Sequence, residues 1–150
     1  MRRFNLRGLS FGERNETRRR LFVDVEPFTL GGLEYEVEGG GVDLEIEASR
    51  VGQRLTLHGS GNAALVGPCE RCLEPAQMRV PVACDDYVAG GRSEGDGEGY
   101  VDGYVLDLQA WVRDAIAEAL PPRVLCDVDC RGLCAVCGAN LNLVGDEHAH

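Results

Sequence analysis

An α+β fold is predicted for this chain: an antiparallel β-sheet covered by one main helix from the C-terminal half, followed by a cysteine-rich, zinc-knuckle-like segment. Three observations predict it. Apolar and acidic residues alternate with period two through positions 33–48, a helical stripe of apolar residues follows Asp107, and six of the seven cysteines lie in clusters at metal-ligand spacing. Period-two alternation marks strands with one buried face, because successive side chains point to opposite sides of a sheet. The 150 residues fit one domain. Within it the composition marks a basic N-terminal segment at 1–20, a sheet at 21–88, a Gly-rich acidic loop at 89–103, and a helix with the cysteine motif at 104–142.

The elements follow in order. Leu21, Val23 and Val25 open the strand pattern. Leu33, Tyr35 and Val37 then alternate with Glu34, Glu36 and Glu38, and Val42, Leu44, Ile46 and Ala48 with Asp43, Glu45 and Glu47. Gly39, Gly40 and Gly41 between them read as a hairpin-like turn. Further strands are predicted at Arg54–His58, Ala63–Val66 and Met78–Tyr87, with Cys84 a buried small hydrophobe in the last. The Glu faces are solvated surfaces that also discourage edge pairing. Residues 89–103 hold six Gly with Arg92, Glu94, Asp96, Glu98 and Asp102 and almost nothing to bury, so a flexible loop is expected. Asp107 can cap a helix in which Leu108, Trp111, Ala115 and Ala119 share a face with Val112 and Ile116 beside it, Trp111 serving as the packing anchor. Pro121 and Pro122 end that helix, and 145–150 reads as a frayed tail.

Charge is unevenly distributed. The first 20 residues carry seven Arg against Glu13 and Glu16, a balance of +5, and the other 130 carry a balance of −15. Nucleic-acid affinity comes largely from Lys and Arg displacing counterions, so an acidic body limits RNA contact to a local patch. Arg18, Arg19 and Arg20 are the candidates for that contact, each guanidinium matching a phosphate in bidentate fashion. The alternative is that these arginines are a solvated terminus or pair with the Glu-rich strand faces of their own chain. The longest unbroken apolar run, Leu133–Cys137, is five residues, far below the ~18 of a membrane helix. With no apolar stretch resembling a signal segment near the start, a cytoplasmic location is expected, with no membrane partner.

The cysteines carry the chemistry. Cys69 and Cys72 form one C-x-x-C pair, while Cys126, Cys130, Cys134 and Cys137 follow a C-x3-C-x3-C-x2-C spacing. In a reducing compartment such clusters point to metal or redox chemistry ahead of disulfides. Two intervening residues let a tight turn present both sulfurs to one ion, and two such pairs complete a tetrahedral zinc site. Gly138 follows Cys137, where a knuckle turn commonly takes a positive φ that suits glycine. Arg71 and Arg131 stand among the ligands and can offset thiolate charge. Three ligand sets are open: Cys69, Cys72, Cys134 and Cys137; Cys69, Cys72, Cys126 and Cys130; or the four C-terminal cysteines alone. Catalytic zinc generally keeps an open position and often uses His. Here His58 stands alone in a strand pattern and His148 and His150 fall in the tail, with no H-E-x-x-H, nucleophile elbow, P-loop or GxGxxG. A non-enzymatic protein with no small-molecule substrate is expected.

Cys69-Glu70-Arg71-Cys72-Leu73-Glu74-Pro75, an amphipathic helix ending Ala119-Leu120-Pro121, and the run from Leu125 through Cys126, Cys130, Gly132, Cys134, Cys137 and Gly138 to Asn142 resemble the bacterial YceD family. The resemblance is specific from Cys69 to Asn142 and general before it. It implies an α+β protein without catalytic activity, needed for accumulation of large-subunit (23S) ribosomal RNA through its synthesis, processing or assembly. Ribosomal RNA or a pre-ribosomal large-subunit particle would be the partner. The same resemblance makes Cys69, Cys72, Cys126, Cys130, Cys134 and Cys137 the motif cysteines and Gly132, Gly138 and Asn140 turn positions. Ala135 departs from it, since the motif tends to carry Pro between the last two cysteines. A thiol redox protein or redox sensor using the C-x-x-C pairs is the competing reading, with Arg71 and Arg131 lowering thiolate pKa.

Overall fold

The computed structural model describes residues 1–95, 99–144 and 148. Among them lie β1 (Arg3–Asn5), β2 (Glu16–Asp24), β3 (Phe28–Leu30), β4 (Leu33–Val37), β5 (Gly41–Val51), β6 (Arg54–Pro68), β7 (Pro75–Ala89), β8 (Arg92–Ser93), β9 (Val101–Asp102), β10 (Val105–Asp107) and the helix α1 (Leu108–Ala119). The architecture is mostly antiparallel sheet with one helix, as predicted. A small sheet has the order β1-β10-β9; in the large one β6 pairs with β7 along one edge and with β5 and β4 along the other.

The β6–β7 ladder runs unbroken from Arg54↔Ala89 to Pro68↔Pro75, each strand 15 residues long. The sequence predicts two short strands, Arg54–His58 and Ala63–Val66, where the structure has one. Gly59 and Gly61 create the apparent break, and packing is why they are there. A Cβ on Gly59 would lie 2.9 Å from the Cys84 sulfur and 3.0 Å from the Trp111 ring, and one on Gly61 would lie 2.7 Å from the Asp43 carbonyl oxygen. Glycine inside a strand marks a close approach here rather than a turn.

The expected hairpin at Gly39–Gly41 is also corrected. β4 and β5 do not pair with each other; both pair antiparallel with the same edge of β6, through Val37↔Leu65 and Glu45↔Ser60. The glycines therefore form an insertion that steps the chain along that edge, with Gly39 and Gly40 both at φ 80°. A tight reversal is supplied instead by Gly52, at φ 61°, between Val51 and Arg54 of β5 and β6.

The basic segment is not separate from the sheet. β2 begins at Glu16 rather than near Leu21, and it pairs with β5 throughout, Arg18 opposite Glu47, Arg19 opposite Ile46 and Arg20 opposite Glu45. Opposite charges facing each other across the ladder, Arg18 with Glu47 and Arg20 with Glu45, are compatible with pairing where apolar alternation is lacking and add a small increment to it.

α1 starts where Asp107 accepts a hydrogen bond from the Ala110 N–H at 3.1 Å. It buries Leu108, Trp111, Val112, Ala115 and Ile116, while Ala119, assigned to the same face from the sequence, is exposed. Trp111, 1% exposed, belongs to one apolar cluster with Leu44, Ile46, Leu57, Val82 and Cys84. Leu120 is extended, as suits a residue before proline. Residues 89–103 carry β8 and β9 near their two ends. They are held together by Ser93, whose hydroxyl donates to Asp86 at 2.6 Å and accepts from the Val101 N–H at 3.0 Å. Asp96, Gly97 and Glu98, at the centre of the predicted flexible loop, lie outside the described residues, as do 145–147, 149 and 150 of the predicted tail.

Gly59→Ala tests the origin of the strand's internal glycine. The added methyl must displace the Trp111 ring or Cys84, so unfolding in denaturant should show a loss of about 1–3 kcal/mol. An unchanged midpoint would mean that the helix does not rest against this strand.

Candidate metal centre

The turn at 69–74, which joins β6 to β7, is the tip of the long hairpin and contains the first cysteine pair. Its frame is two backbone bonds, Cys69 N–H to the Glu74 carbonyl at 2.8 Å and Leu73 N–H to the Cys69 carbonyl at 2.9 Å. Leu73 takes φ 64° to close it. Beneath the turn the fully buried Tyr35 donates its hydroxyl to the Pro68 carbonyl at 2.8 Å, and its ring occupies the space that a side chain on Gly67 would need. The turn thus projects from a rigid base, with Cys69 and Cys72 both buried.

The other half of the centre arrives after α1. The Glu70 N–H donates to the carbonyl of buried Val124 at 2.9 Å, which fastens the segment before Cys126 to the hairpin tip. Asp127 shapes the Cys126–Cys130 turn, its carboxylate accepting the Asp129 N–H at 2.9 Å and its carbonyl the Cys130 N–H at 3.1 Å. Arg71 reaches across to donate to the Cys130 carbonyl at 2.9 Å.

These contacts bring the sulfurs of Cys69, Cys72, Cys126 and Cys130 within 4.8 Å of one another. Cys69 and Cys130 are 3.6 Å apart, as are Cys72 and Cys126. Four sulfurs at about 2.3 Å from a central ion form a tetrahedron with edges of about 3.8 Å, so the set fits a zinc-sized cation. The spacing is far beyond the ~2.05 Å of a disulfide. Asn142 donates its amide to the Cys130 sulfur at 3.3 Å and accepts the Arg131 N–H at 2.9 Å, a supporting contact that orients a ligand. Glu74, Asp127 and Asp129 lie around the opening beside Cys72 and Cys126.

The thiols differ in acidity. Burial pushes the Cys69 thiol up, but backbone hydrogen bonds from Cys72, Cys126 and Arg71 outweigh it and hold it at about 6. At Cys72 a backbone hydrogen bond with Glu74 pulls downward, yet desolvation and the neighbouring Cys69 and Cys130 thiols leave it raised. Cys126 is pushed up to about 12, first by its hydrogen bond with Cys72, then by desolvation and the remaining thiols. Without a cation, one thiolate forms readily and resists the formation of others beside it. A divalent ion removes that conflict. Cys84 lies apart in β7, its thiol pushed up to about 12 mainly by burial.

Of the three ligand sets open from spacing, the structure brings together the one that joins Cys69 and Cys72 to Cys126 and Cys130. Cys134 and Cys137 occupy a second turn, in which Gly132 and Gly138 both take positive φ, 81° and 74°. His148, assigned to a frayed tail from the sequence, lies with that pair, its Nε2 3.6 Å from the Cys137 sulfur. His58 meets Asp85 at 2.6 Å. Arg18 and Arg20 form ion pairs with Glu47 and Glu45 at 3.2 and 3.4 Å, and the Arg19 guanidinium stands 5.5 Å from the Phe4 ring centre. Asn142 and Tyr35 are the supporting residues whose roles cysteine spacing misses; the sequence shows Tyr35 only as part of a strand alternation and Asn142 only as the end of the motif run.

Metal uptake should release protons, because the raised thiols of Cys72 and Cys126 must ionise to become ligands. Protons then compete with the ion, so affinity should fall as pH falls, on the order of tenfold per unit for each proton displaced. Chelator competition between pH 6 and 8 checks this. A pH-independent affinity would remove Cys72 and Cys126 from the ligand set.

Among the described residues no helix is long and apolar enough to cross a membrane. Uncharacterised proteins of Mycobacterium bovis and Mycobacterium tuberculosis are each 34% identical to the chain over 110 residues, covering 69% of this chain and 53% of the relative. A third, from Mycobacterium leprae, is 31% identical over 118 residues, covering 75% of this chain and 54% of the relative. The chain therefore spans about half the length of the curated relatives it matches. No solved structure matches it. The family model described as "Large ribosomal RNA subunit accumulation protein YceD" matches residues 57–150, a stretch that begins within the long hairpin and contains every cysteine of the chain. With more than half of its length matched, the chain belongs to the YceD family.

Proposed function

We propose that the protein is a non-enzymatic factor supporting the accumulation of large-subunit ribosomal RNA, with a structural zinc ion held by Cys69, Cys72, Cys126 and Cys130. Family membership supports the ribosomal part. The convergence of four sulfurs from two distant stretches of chain is the observation that carries the zinc part. Four thiolates fill a tetrahedral ion and leave no position for substrate, so such an ion ties the hairpin tip to the segment after α1 rather than acting on a ligand.

The low-lying Cys69 thiol gives the redox reading its one specific support. Against it, four sulfurs meet rather than two, at spacings that suit a shared cation. Reduced protein that takes up no zinc while Cys69 and Cys72 cycle through a disulfide would select the redox reading.

Depletion of the protein should lower the ratio of large-subunit to small-subunit ribosomal RNA, and the parent chain should restore it. Cys72→Ser, which removes one ligand from the mixed site, should bind less zinc and restore the ratio poorly. Normal ribosomal RNA ratios in depleted cells would remove the function.

Arg18, Arg19 and Arg20 are the proposed RNA contacts. Exposed ion pairs such as Arg18–Glu47 and Arg20–Glu45 are worth roughly 0–1 kcal/mol, so a phosphate can displace the carboxylates at small cost. Three phosphate contacts to single-stranded RNA predict a slope of log affinity against log salt of about −2. Changing all three to Glu should weaken binding to ribosomal RNA at low salt and flatten that slope. Equal binding by parent and variant across the salt series would leave these arginines as sheet-pairing residues.

A further inference from the structure

The second cysteine turn repeats the first bond for bond. In the hairpin tip, Cys69 N–H donates to the carbonyl five residues on and Leu73 N–H donates back to Cys69, at 2.8 and 2.9 Å. In the later turn, Cys134 N–H donates to the Ala139 carbonyl at 2.7 Å and Gly138 N–H donates back to Cys134 at 2.9 Å. The residue after the second cysteine is at positive φ in both, 64° at Leu73 and 74° at Gly138. One backbone frame therefore presents a pair of cysteine sulfurs at two places in the chain. The second frame is stiffened by the bridge between Leu133 and Asn140 and by the Leu141 N–H bond to the Gly132 carbonyl at 2.8 Å.

This second pair does not join the four-thiol centre. Its neighbour is His148, and the three ligand atoms of Cys134, Cys137 and His148 lie within 4.8 Å of one another. Around a tetrahedral ion with a sulfur at about 2.3 Å and an imidazole nitrogen at about 2.0–2.1 Å, the sulfur–nitrogen edge is about 3.6 Å. The Cys137 sulfur and His148 Nε2 are 3.6 Å apart.

We propose that Cys134, Cys137 and His148 form a second metal site, which takes one divalent ion of the zinc class through two thiolates and one imidazole nitrogen. Soft sulfur with imidazole is a donor set suited to zinc, and two thiolates neutralise its charge. Three protein ligands leave the fourth position to water or another donor, which distinguishes this site from the saturated four-thiol centre. It is also more open to solvent. Cys137 is exposed and Cys134 half-buried, whereas in the four-thiol centre Cys69, Cys72 and Cys130 are buried and Cys126 alone is exposed. Its ion should exchange with chelators faster than the other. The site goes beyond the proposed function and stands whether or not the four-thiol centre is loaded.

The test is a zinc titration of the reduced full chain at buffered free zinc, read as bound ions per chain by native mass spectrometry. The parent should bind two ions, one lost quickly and one slowly to chelator. His148→Ala should bind one ion and keep only the slow phase, and His148→Cys should recover the second. His148 lies outside the core, so the alanine variant does not depend on refolding the sheet. Cys72→Ser should retain the fast ion. A His148→Ala variant with the parent's stoichiometry and both chelation phases would overturn the second site. A parent with one ion and a Cys72→Ser variant with none would also overturn it while leaving the four-thiol reading intact. A Cys72→Ser variant that binds as the parent does, with His148→Ala binding none, would remove the four-thiol centre and keep the second site.

Discussion

The pairing of β6 with β7 governs the position of almost everything else. Because the ladder is unbroken to Pro68↔Pro75, the cysteine turn at its end is anchored directly to the sheet. The other edge of β6 receives β5 along one half and β4 near its far end, so both remaining parts of the large sheet take their register from this one strand. The helix is referred to it as well, since Trp111 comes down over Gly59. A strand shared by two partners on one side has little tolerance for slippage: a shift of one residue would turn each apolar side chain of β6 to the wrong face.

Much of this was legible from side-chain periodicity, and the part that was not has a common cause. Alternation located β4 and β5 because their buried and acidic faces differ sharply, and Asp107 with the stripe from Leu108 to Ile116 located the helix. Where glycine intervened, local reading failed. Gly59 and Gly61 look like punctuation when the neighbours that exclude a side chain, Trp111 and Asp43, are far away in sequence. Gly39–Gly41 look like a reversal because the shared edge of β6 is a tertiary fact. The cysteines show the same division. Their spacing located the cysteine turns, but which sulfurs meet depends on contacts such as the Glu70–Val124 bond, which no spacing encodes. His148 was missed because tail composition carries no sign of a return toward Cys137.

The electrostatics of the two halves differ in kind. On the sheet, carboxylates and guanidiniums alternate across β2 and β5 in exposed pairs, each weak and replaceable by an outside ion. At the hairpin tip, four thiols are gathered into a small volume where the ionisation of one opposes that of the others. The first arrangement suits transient contacts with a polyanion, and the second suits permanent occupation by a cation. The metal and RNA contacts proposed above would thus draw on different chemistries at different places in one acidic chain.

The separation of the ligands along the chain also has a consequence in time. Cys72 and Cys126 are 54 positions apart, and Cys69 and Cys130 are 61 apart. At synthesis rates of about 5–20 residues per second, the hairpin tip precedes its partners by on the order of 3 to 12 seconds. During that interval the nascent chain displays a two-thiol half-site on an incomplete sheet. Closure therefore waits for the residues that follow the helix.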